Sequence, residues 1–201
     1  MNWNASDDWL QQNTVMDALS AAITLNVFMA NADRVQMAGL AQAVNVIHSL
    51  FLTNSKSGGT DLVKTPTFYV FKMFKPHHTN DAKWAPNTLS SEKITGNGKT
   101  FNVLSTGAMV NAASQVTISL ANVDLTSARD VTITLDSATA RYAMASATVI
   151  TGPAKDSYND FGQPEVVNIQ PLDAGSYELC GRKLKVSLPS KSVVTLTLDP
   201  R

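Results

Sequence analysis

Apolar residues recur with helical spacing near the start of the chain. Val15, Leu19 and Ile23 lie four positions apart, which places them on one side of a helix that we predict over about residues 13–29. Thr14, followed three positions later by Asp17, resembles the capping box of a helix start. The chain is therefore expected to begin its regular structure with an amphipathic helix.

The next fifty residues predict a strand, a buried segment and a second helix. In RVQMAGLAQ (34–42) apolar and polar or small residues alternate, which indicates a short buried strand. The segment AVNVIHSLFLT (43–53) is apolar on nearly all sides, so it must be buried in something large. Thr65-Pro66 is typical of an N-cap and first-turn proline. It is expected to open a helix that ends near Pro76.

From residue 101 onward the pattern changes to short segments rich in Thr, Val and Ile. In DVTITLD (130–136), Val131, Ile133 and Leu135 share one face of a strand, with threonines on the other. Several such strands separated by Gly- and Pro-containing turns predict an antiparallel β-sandwich. The strand candidates are 116–123, 130–136, 141–150, 165–170, 183–189 and 192–198.

Composition narrows the functional classes. Lys and Arg together number 16, as do Asp and Glu, so the net charge of zero argues against a partner such as a nucleic acid or an anionic membrane. The single cysteine, Cys180, cannot form an internal disulfide, and no CxxC motif is present for zinc. No stretch resembles a membrane span, and the first ten residues lack the features of a signal peptide. The cellular compartment stays open between cytoplasmic and exported.

The helix–strand–helix order before residue 80 is typical of an α/β repeat. A complete (β/α)₈ barrel needs roughly 250 residues, and this part of the chain is far shorter. The first part is therefore expected to be a piece of something larger, followed by the sandwich.

Four ordered segments resemble the C-terminal end of the α-L-arabinofuranosidases of glycoside hydrolase family 51. They are LQQNTVMDALSAAITLNVF (10–28), ADRVQMAGLAQAVNV (32–46), LVKTPTFYVFKMFKPH (62–77) and YNDFGQPEVV (158–167). The resemblance implies a mainly β fold, with a C-terminal antiparallel β-sandwich preceded by a helical segment that closes a (β/α)₈ barrel. It implies that residues 1–80 hold the last strand, at about 34–41, and the terminal helices of an incomplete barrel. Residues 81–201 would then be the sandwich domain.

The resemblance also bears on the chemistry. Retaining glycosidases use two carboxyl groups about 5–5.5 Å apart, and in this family both are glutamates at the ends of barrel strands four and seven. The glutamates of this chain all lie in or beside the predicted sandwich, so the resemblance implies no catalytic residue in this chain. It assigns Gln42, in AQAVNV, to contact with arabinose, and the alternative is a buried glutamine satisfied by backbone groups. Asn45 is expected to be a structural hydrogen bonder. The three glutamates are Glu92, Glu165 and Glu178.

Several other side chains have a chemical and a structural interpretation. Asp7 and Asp8 could form a carboxylate pair, but charge that favours the next helix is the expected role. His77-His78 could bind a metal, but no third ligand has suitable spacing, so we expect the pair to complement a helix dipole. His48 is expected to be a core histidine. Four aromatic residues could form a sugar platform, but packing is the expected role; they are Trp84, Tyr142, Tyr158 and Phe161.

The functional hypothesis is a C-terminal part of a retaining enzyme that releases terminal arabinofuranosyl groups from arabinan or arabinoxylan. The isolated chain is expected to be inactive and to need neither cofactor nor metal. The alternative is a non-catalytic carbohydrate-binding or structural β-sandwich module. The expected partners are an arabinose-containing polysaccharide or oligosaccharide and further copies of the chain in a homo-oligomer. The apolar faces of the first part are expected to pack onto the sandwich or onto a second copy.

Overall fold

The computed structural model describes residues 2–3, 11–40, 42–54, 60–96, 98–136 and 141–201. Two α-helices precede most of the strands. Helix α1 (Val15–Ala30) starts with a complete capping box formed by Thr14 and Asp17, as predicted. Helix α2 (Pro66–Phe74) starts at Thr65, whose side chain accepts the N–H of Phe68, with Pro66 at the first position. A 3₁₀ helix (Lys75–His78) follows directly.

The strands of the first half are short. Six of them form three antiparallel two-stranded pairs, of which the first joins residues on either side of a part that the structure does not describe. The pairs are β1 (Asn2–Trp3) with β2 (Gln11–Gln12), β3 (Phe51–Thr53) with β4 (Leu62–Lys64), and β6 (Lys93–Gly96) with β7 (Lys99–Asn102).

The second half forms two antiparallel sheets, which confirms the predicted mainly β sandwich. The strands of the larger sheet are β5 (Lys83–Trp84), which comes from the first half, β8 (Leu104–Val110), β9 (Val116–Asn122), β11 (Tyr142–Ile150), β12 (Gln170–Pro171) and β15 (Ser192–Pro200). Those of the smaller sheet are β10 (Arg129–Thr134), β13 (Tyr177–Cys180) and β14 (Lys183–Leu188). The strand order is β12-β11-β15-β9-β8-β5 in the larger sheet and β10-β14-β13 in the smaller.

The six-stranded sheet is covered on both faces, so the described residues form three layers. Alternate side chains of β9 and β15, such as Ile118 and Leu196, face the smaller sheet. The intervening side chains, such as Ala121 and Val193, face the two helices. Because both faces are covered, every residue of β9 is buried. Within β10 the predicted alternation holds, with Val131 and Ile133 turned inward and Thr132 and Thr134 exposed.

Helix α1 lies directly on strand β8. Val15 and Leu19 are almost fully buried in the core that the helices share with the large sheet, so the predicted packing onto the sandwich is confirmed for these two residues. The two elements are tightly packed at Gly107, where a side chain would collide with Asn26 and Met29 of the helix. Asn26 joins the helix to the sheet at this point, because its amide nitrogen donates to Ser105 Oγ at 3.1 Å and its amide oxygen accepts from Ser119 Oγ at 2.6 Å.

Two predicted strands are absent from the structure. Residues 35–40 have no regular structure, and Met37 is 90% exposed. A strand needs a neighbour to satisfy its backbone groups, and no described strand lies beside this segment. In the other predicted strand, 165–170, only Gln170 is in a ladder. The backbone N–H and C=O of Val167 bind the side chain of Asn159 instead, so the local pattern was overridden by a side-chain contact.

Candidate functional site

The residue predicted to contact sugar lies in an irregular segment that precedes β3. We call residues 42–50 the Gln42 segment. Gln42 itself is exposed in this chain. Backbone contacts fold the segment back on β3: the N–H groups of Leu50 and Phe51 donate to the carbonyl of Ala43 at 2.9 and 3.0 Å. Gln42 is thereby placed next to a turn that these backbone bonds close.

Asn45 stabilises this turn with its side chain. Its backbone is left-handed, with φ of 55°, a conformation that asparagine tolerates better than most residues. The amide nitrogen donates to Thr53 Oγ1, and the amide oxygen accepts the N–H of Thr53, both at 2.8 Å. The predicted role of Asn45 as a structural hydrogen bonder is confirmed.

His48 connects the Gln42 segment to the first helix. Its backbone also has a φ of 55°, and Nε2 lies 3.5 Å from Asp17 Oδ1. The other oxygen of Asp17 accepts the backbone N–H and hydroxyl of Thr14 at 2.8 and 3.0 Å. The imidazole is 20% exposed and Asp17 is 2% exposed. His48 is therefore a partly buried histidine with a carboxylate partner, close to the core role expected for it.

Ser49 is the point at which three segments meet. Its carbonyl accepts the hydroxyl of Thr65 at 2.7 Å, which ties it to the start of α2. The amide of Asn13, just before α1, contacts Ser49 Oγ at 3.2 Å and the same carbonyl at 3.5 Å. The N-terminal ends of both helices are thus fastened to the Gln42 segment through buried polar groups.

The four aromatic candidates do not form one platform. Trp84 lies on edge strand β5 and packs against the core beneath the helices, whereas Tyr142 on β11 packs between the sheets. Tyr158 and Phe161 occupy one loop and are 43% and 37% exposed. The expected packing role is right for the first two, and the last two keep exposed rings.

The two histidines at the end of the second helix lie in different surroundings, His77 buried and His78 exposed. His77 is completely buried and stacks on Phe74 with ring centroids 4.9 Å apart. Burial, followed by the nearby His78, lowers the pKa of His77 to about 4. Neither of its ring nitrogens has a hydrogen-bond partner among the described residues. His77 is therefore neutral at pH 7, and its predicted charge complement to the helix dipole is wrong because the 3₁₀ turn points it inward.

Each glutamate of the chain is bound to a different partner. Glu92 accepts from Arg129 at 2.8 Å, and Glu178 on β13 lies 3.9 Å from Lys185 on β14. Glu165 accepts the hydroxyl of Tyr69 at 2.9 Å; hydrogen bonds from Asn168 and then Tyr69 lower its pKa. Reciprocally, burial and the contact with Glu165 raise the pKa of Tyr69.

One polar residue that sequence reasoning missed organises the junction between the two halves. Asn159 is buried, and its amide donates to the carbonyls of Lys64 and Val167, both at 2.8 Å. Its oxygen accepts the N–H of Val167 at 2.7 Å. The position of Asn159 inside the recognised segment YNDFGQPEVV was the available signal. The predicted candidates Asp7 and Asp8 lie outside the described residues.

Comparison with known proteins places these features in a family. The sequence profile described as the α-L-arabinofuranosidase C-terminal domain matches residues 2–192. The chain is 39% identical over 190 residues to a curated protein of Bacteroides ovatus described as an intracellular exo-α-L-arabinofuranosidase, covering 94% of this chain and 35% of that one. None of the described helices is long and apolar enough to cross a membrane.

Solved structures agree with that assignment. A family 51 arabinofuranosidase from Xanthomonas axonopodis pv. citri superposes with a TM-score of 0.85 at 30% identity, covering 96% of this chain and 37% of that one. AbfB, a family 51 α-L-arabinofuranosidase from Bifidobacterium longum, has the same fold at 22% identity, with a TM-score of 0.78 over 93% of this chain and 35% of that one. The chain thus spans about a third of the length of these relatives. It belongs to the α-L-arabinofuranosidase C-terminal domain family, as its four ordered segments predicted.

Proposed function

We propose that this chain is the C-terminal part of a retaining α-L-arabinofuranosidase that releases terminal arabinofuranosyl residues from arabinan or arabinoxylan. The observation that carries the proposal is the family match over residues 2–192. The relatives' names supply the arabinofuranoside specificity. In this proposal the chain supports the barrel and contributes a substrate contact, and the two catalytic carboxyl groups come from the remainder of the enzyme.

The environment of the glutamates supports their exclusion from catalysis. A retaining mechanism needs two facing carboxyl groups about 5–5.5 Å apart, one of them able to hold a proton. Glu92, Glu165 and Glu178 each bind a separate partner on a separate element. The pKa of Glu165 is lowered rather than raised, which is the wrong direction for an acid catalyst at neutral pH.

We place the division of the chain near residue 80, as the sequence predicts. Residues 1–80 would close the barrel, and residues 81–201 would form the sandwich that braces it. In this arrangement helix α1 lies between the sandwich and the rest of the barrel. One side of it is buried on strand β8, whereas Met16 and Val27 on its surface are 38% and 52% exposed. These exposed apolar side chains would pack against the rest of the barrel.

Gln42 is the proposed substrate contact. Its exposed carboxamide offers two N–H donors and one oxygen acceptor, which suits the hydroxyl groups of a sugar. The turn behind it is fixed by Asn45 and by the backbone bonds to Ala43. In a (β/α)₈ barrel the helices begin on the face that binds ligand, which fits a segment that is hydrogen-bonded to the starts of two helices.

The test compares the purified chain with the longer polypeptide that carries it, using 4-nitrophenyl α-L-arabinofuranoside. We expect turnover only from the longer polypeptide, with retention of configuration by NMR. Gln42→Ala should raise KM or lower kcat, whereas Gln36→Ala at another exposed glutamine should not. Turnover by the purified chain would refute our placement of the catalytic groups.

The exposed rings of Tyr158 and Phe161 support a second candidate, a glycan-binding face on the sandwich. Calorimetric titration of the chain with arabino-oligosaccharides should then give heat that Phe161→Ala removes. Sedimentation of the longer polypeptide tests the predicted homo-oligomer, which the monomeric mass would contradict.

A further inference from the structure

The Gln42 segment contains two residues in an unfavourable backbone conformation. Asn45 and His48 both have φ of 55°, in the left-handed region that side chains with a Cβ seldom occupy. Such residues cost free energy and persist only where the surroundings hold them. In this segment each has its own side-chain anchor: Asn45 binds Thr53, and His48 faces Asp17.

The two anchors hold the segment from opposite directions. Asn45 fastens it to β3, which immediately follows it in the chain. His48 fastens it to α1, more than thirty residues earlier in the sequence. Asp17 is itself immobilised, because its other oxygen closes the capping box at Thr14. Together with the bonds from Asn13 to Ser49, the His48 contact therefore helps to set the position of the turn relative to the start of the first helix.

We propose that His48 is a positioning residue of the sugar site: its imidazole, held against Asp17, fixes the path of the segment that carries Gln42. The proposal rests on the proposed function for its link to substrate. His48 does not touch the sugar in this scheme; it acts through Gln42. Because helices of a barrel begin on the face that binds substrate, the contact ties the Gln42 segment to the N-terminal end of α1.

The first experiment measures the segment directly, by hydrogen exchange of the chain. The reporters are the N–H groups of Asn45, Leu50 and Phe51, which bond within the turn and to β3. His48→Asn keeps a residue that tolerates positive φ but cannot reach Asp17 as the imidazole does. We expect these amides to exchange on the order of tenfold faster in His48→Asn, with the amides of β9 and β15 unchanged. The matched control is His78→Ala at an exposed histidine, whose amides should exchange at the same rates as in the unmodified chain.

Unchanged exchange in His48→Asn would overturn the proposal, since the contact would then hold nothing. Faster exchange throughout β9 and β15 would also overturn it, because it would mean a general loss of stability rather than release of one segment. His48→Ala is expected to resemble His48→Asn. If only the alanine variant differs from the unmodified chain, backbone strain and not the Asp17 contact is responsible, and the proposal is refuted.

The second experiment links the contact to substrate in the longer polypeptide, through a double-mutant cycle of His48→Asn with Gln42→Ala. We expect His48→Asn alone to lower kcat/KM on the order of 10-fold or more, because misplacement of a contact group weakens transition-state binding. In the Gln42→Ala background the same change should cost less than about 3-fold, because the two residues act in series. Equal losses in both backgrounds would overturn the link. Absence of turnover by the unmodified polypeptide would instead refute the proposed function, and the exchange result would still decide whether His48 holds the segment.

Discussion

Replacing Gly107 by alanine tests the close packing of α1 on the large sheet. Gly107 pairs with Ser119 in the β8–β9 ladder, and its missing side chain leaves room for the helix. A Cβ at this position would lie 2.6 Å from Met29 Cε, 2.7 Å from Asn26 Oδ1 and 3.1 Å from Ser119 Oγ. Carbon atoms in contact prefer about 3.5–4.0 Å, so the helix or these side chains must move.

The expected cost comes from two sources. Met29 ends in a flexible methyl group and can turn aside, but Asn26 is held by hydrogen bonds to Ser105 and Ser119. Moving Asn26 weakens these bonds, each worth about 1 kcal/mol, and overpacking a core costs about 1–3 kcal/mol. The lower conformational entropy of the unfolded chain with alanine offsets about 0.4–1 kcal/mol of this loss in the free energy of unfolding. We therefore expect Gly107→Ala to lower the free energy of unfolding by about 1–3 kcal/mol.

Urea denaturation followed by tryptophan fluorescence measures this change. Gly152→Ala should behave similarly, because its Cβ would lie 2.8 Å from Val15 Cγ2 and 3.0 Å from Ser157 Cβ. Gly39→Ala is the matched control, since nothing lies within 4 Å of its Cβ. A Gly107→Ala chain as stable as the Gly39→Ala chain would refute the packing of α1 on β8 described above.

Three further predictions concern buried polar groups. Because the pKa of His77 is about 4 in the fold and 6.5 unfolded, stability should fall as the pH drops from about 6.5 to about 4. In this pH range the unfolded chain binds a proton at His77 before the folded chain does, which lowers the free energy of unfolding by about 3 kcal/mol in total. Denaturation measured between these pH values should show no such loss in His77→Leu. Thr65→Ala should cost about 1–2 kcal/mol, because it removes both the cap of α2 and the bond to Ser49. Asn159→Ala should cost about 2–4 kcal/mol, because buried groups of Lys64 and Val167 lose their partners.

Each of these variants has a control on the surface. His78→Ala should keep most of the pH dependence, because burial is the larger cause of the lowered pKa of His77. A His77→Leu chain with unaltered pH dependence would contradict the buried neutral imidazole. Thr24→Ala, in the exposed middle of α1, and Asn87→Ala, on an exposed loop, should change the free energy of unfolding by less than about 0.5 kcal/mol. Losses as large as those of Thr65→Ala and Asn159→Ala would show that the buried hydrogen bonds are not the cause.

Local patterns predicted the elements whose stabilising contacts are close in sequence. The capping box of Thr14 and Asp17 and the N-cap at Thr65 involve residues three positions apart, so the helix starts were readable. The alternation in β10 was readable because one side of that strand faces water. Strand β8 was missed: its interior includes small residues such as Gly107 and Ala108, and it carries little of the Val and Ile signal.

The candidate site was predictable only in part. The ordered segments identified Gln42 and the structural role of Asn45, because both lie in one recognisable motif. Nothing in the local sequence showed that His48 would face Asp17, since the two are separated by a long connection. The direction of His77 was also unreadable, because a change from an α-helical to a 3₁₀ turn rotates the side chain from solvent into the core.

The sequence by itself determined the fold class and the family, and it supplied the proposed division near residue 80 and the sugar-contact candidate. These follow from short-range periodicity, capping and ordered motifs, which act within a few residues of one another. Only the tertiary structure decided that the helices cover one face of the large sheet and that Asn26, Asp17 and Asn159 are fully buried. The free energy that a polar contact contributes depends on its burial. Burial in turn depends on which distant segments of the chain meet, so it cannot be predicted from residues close in sequence.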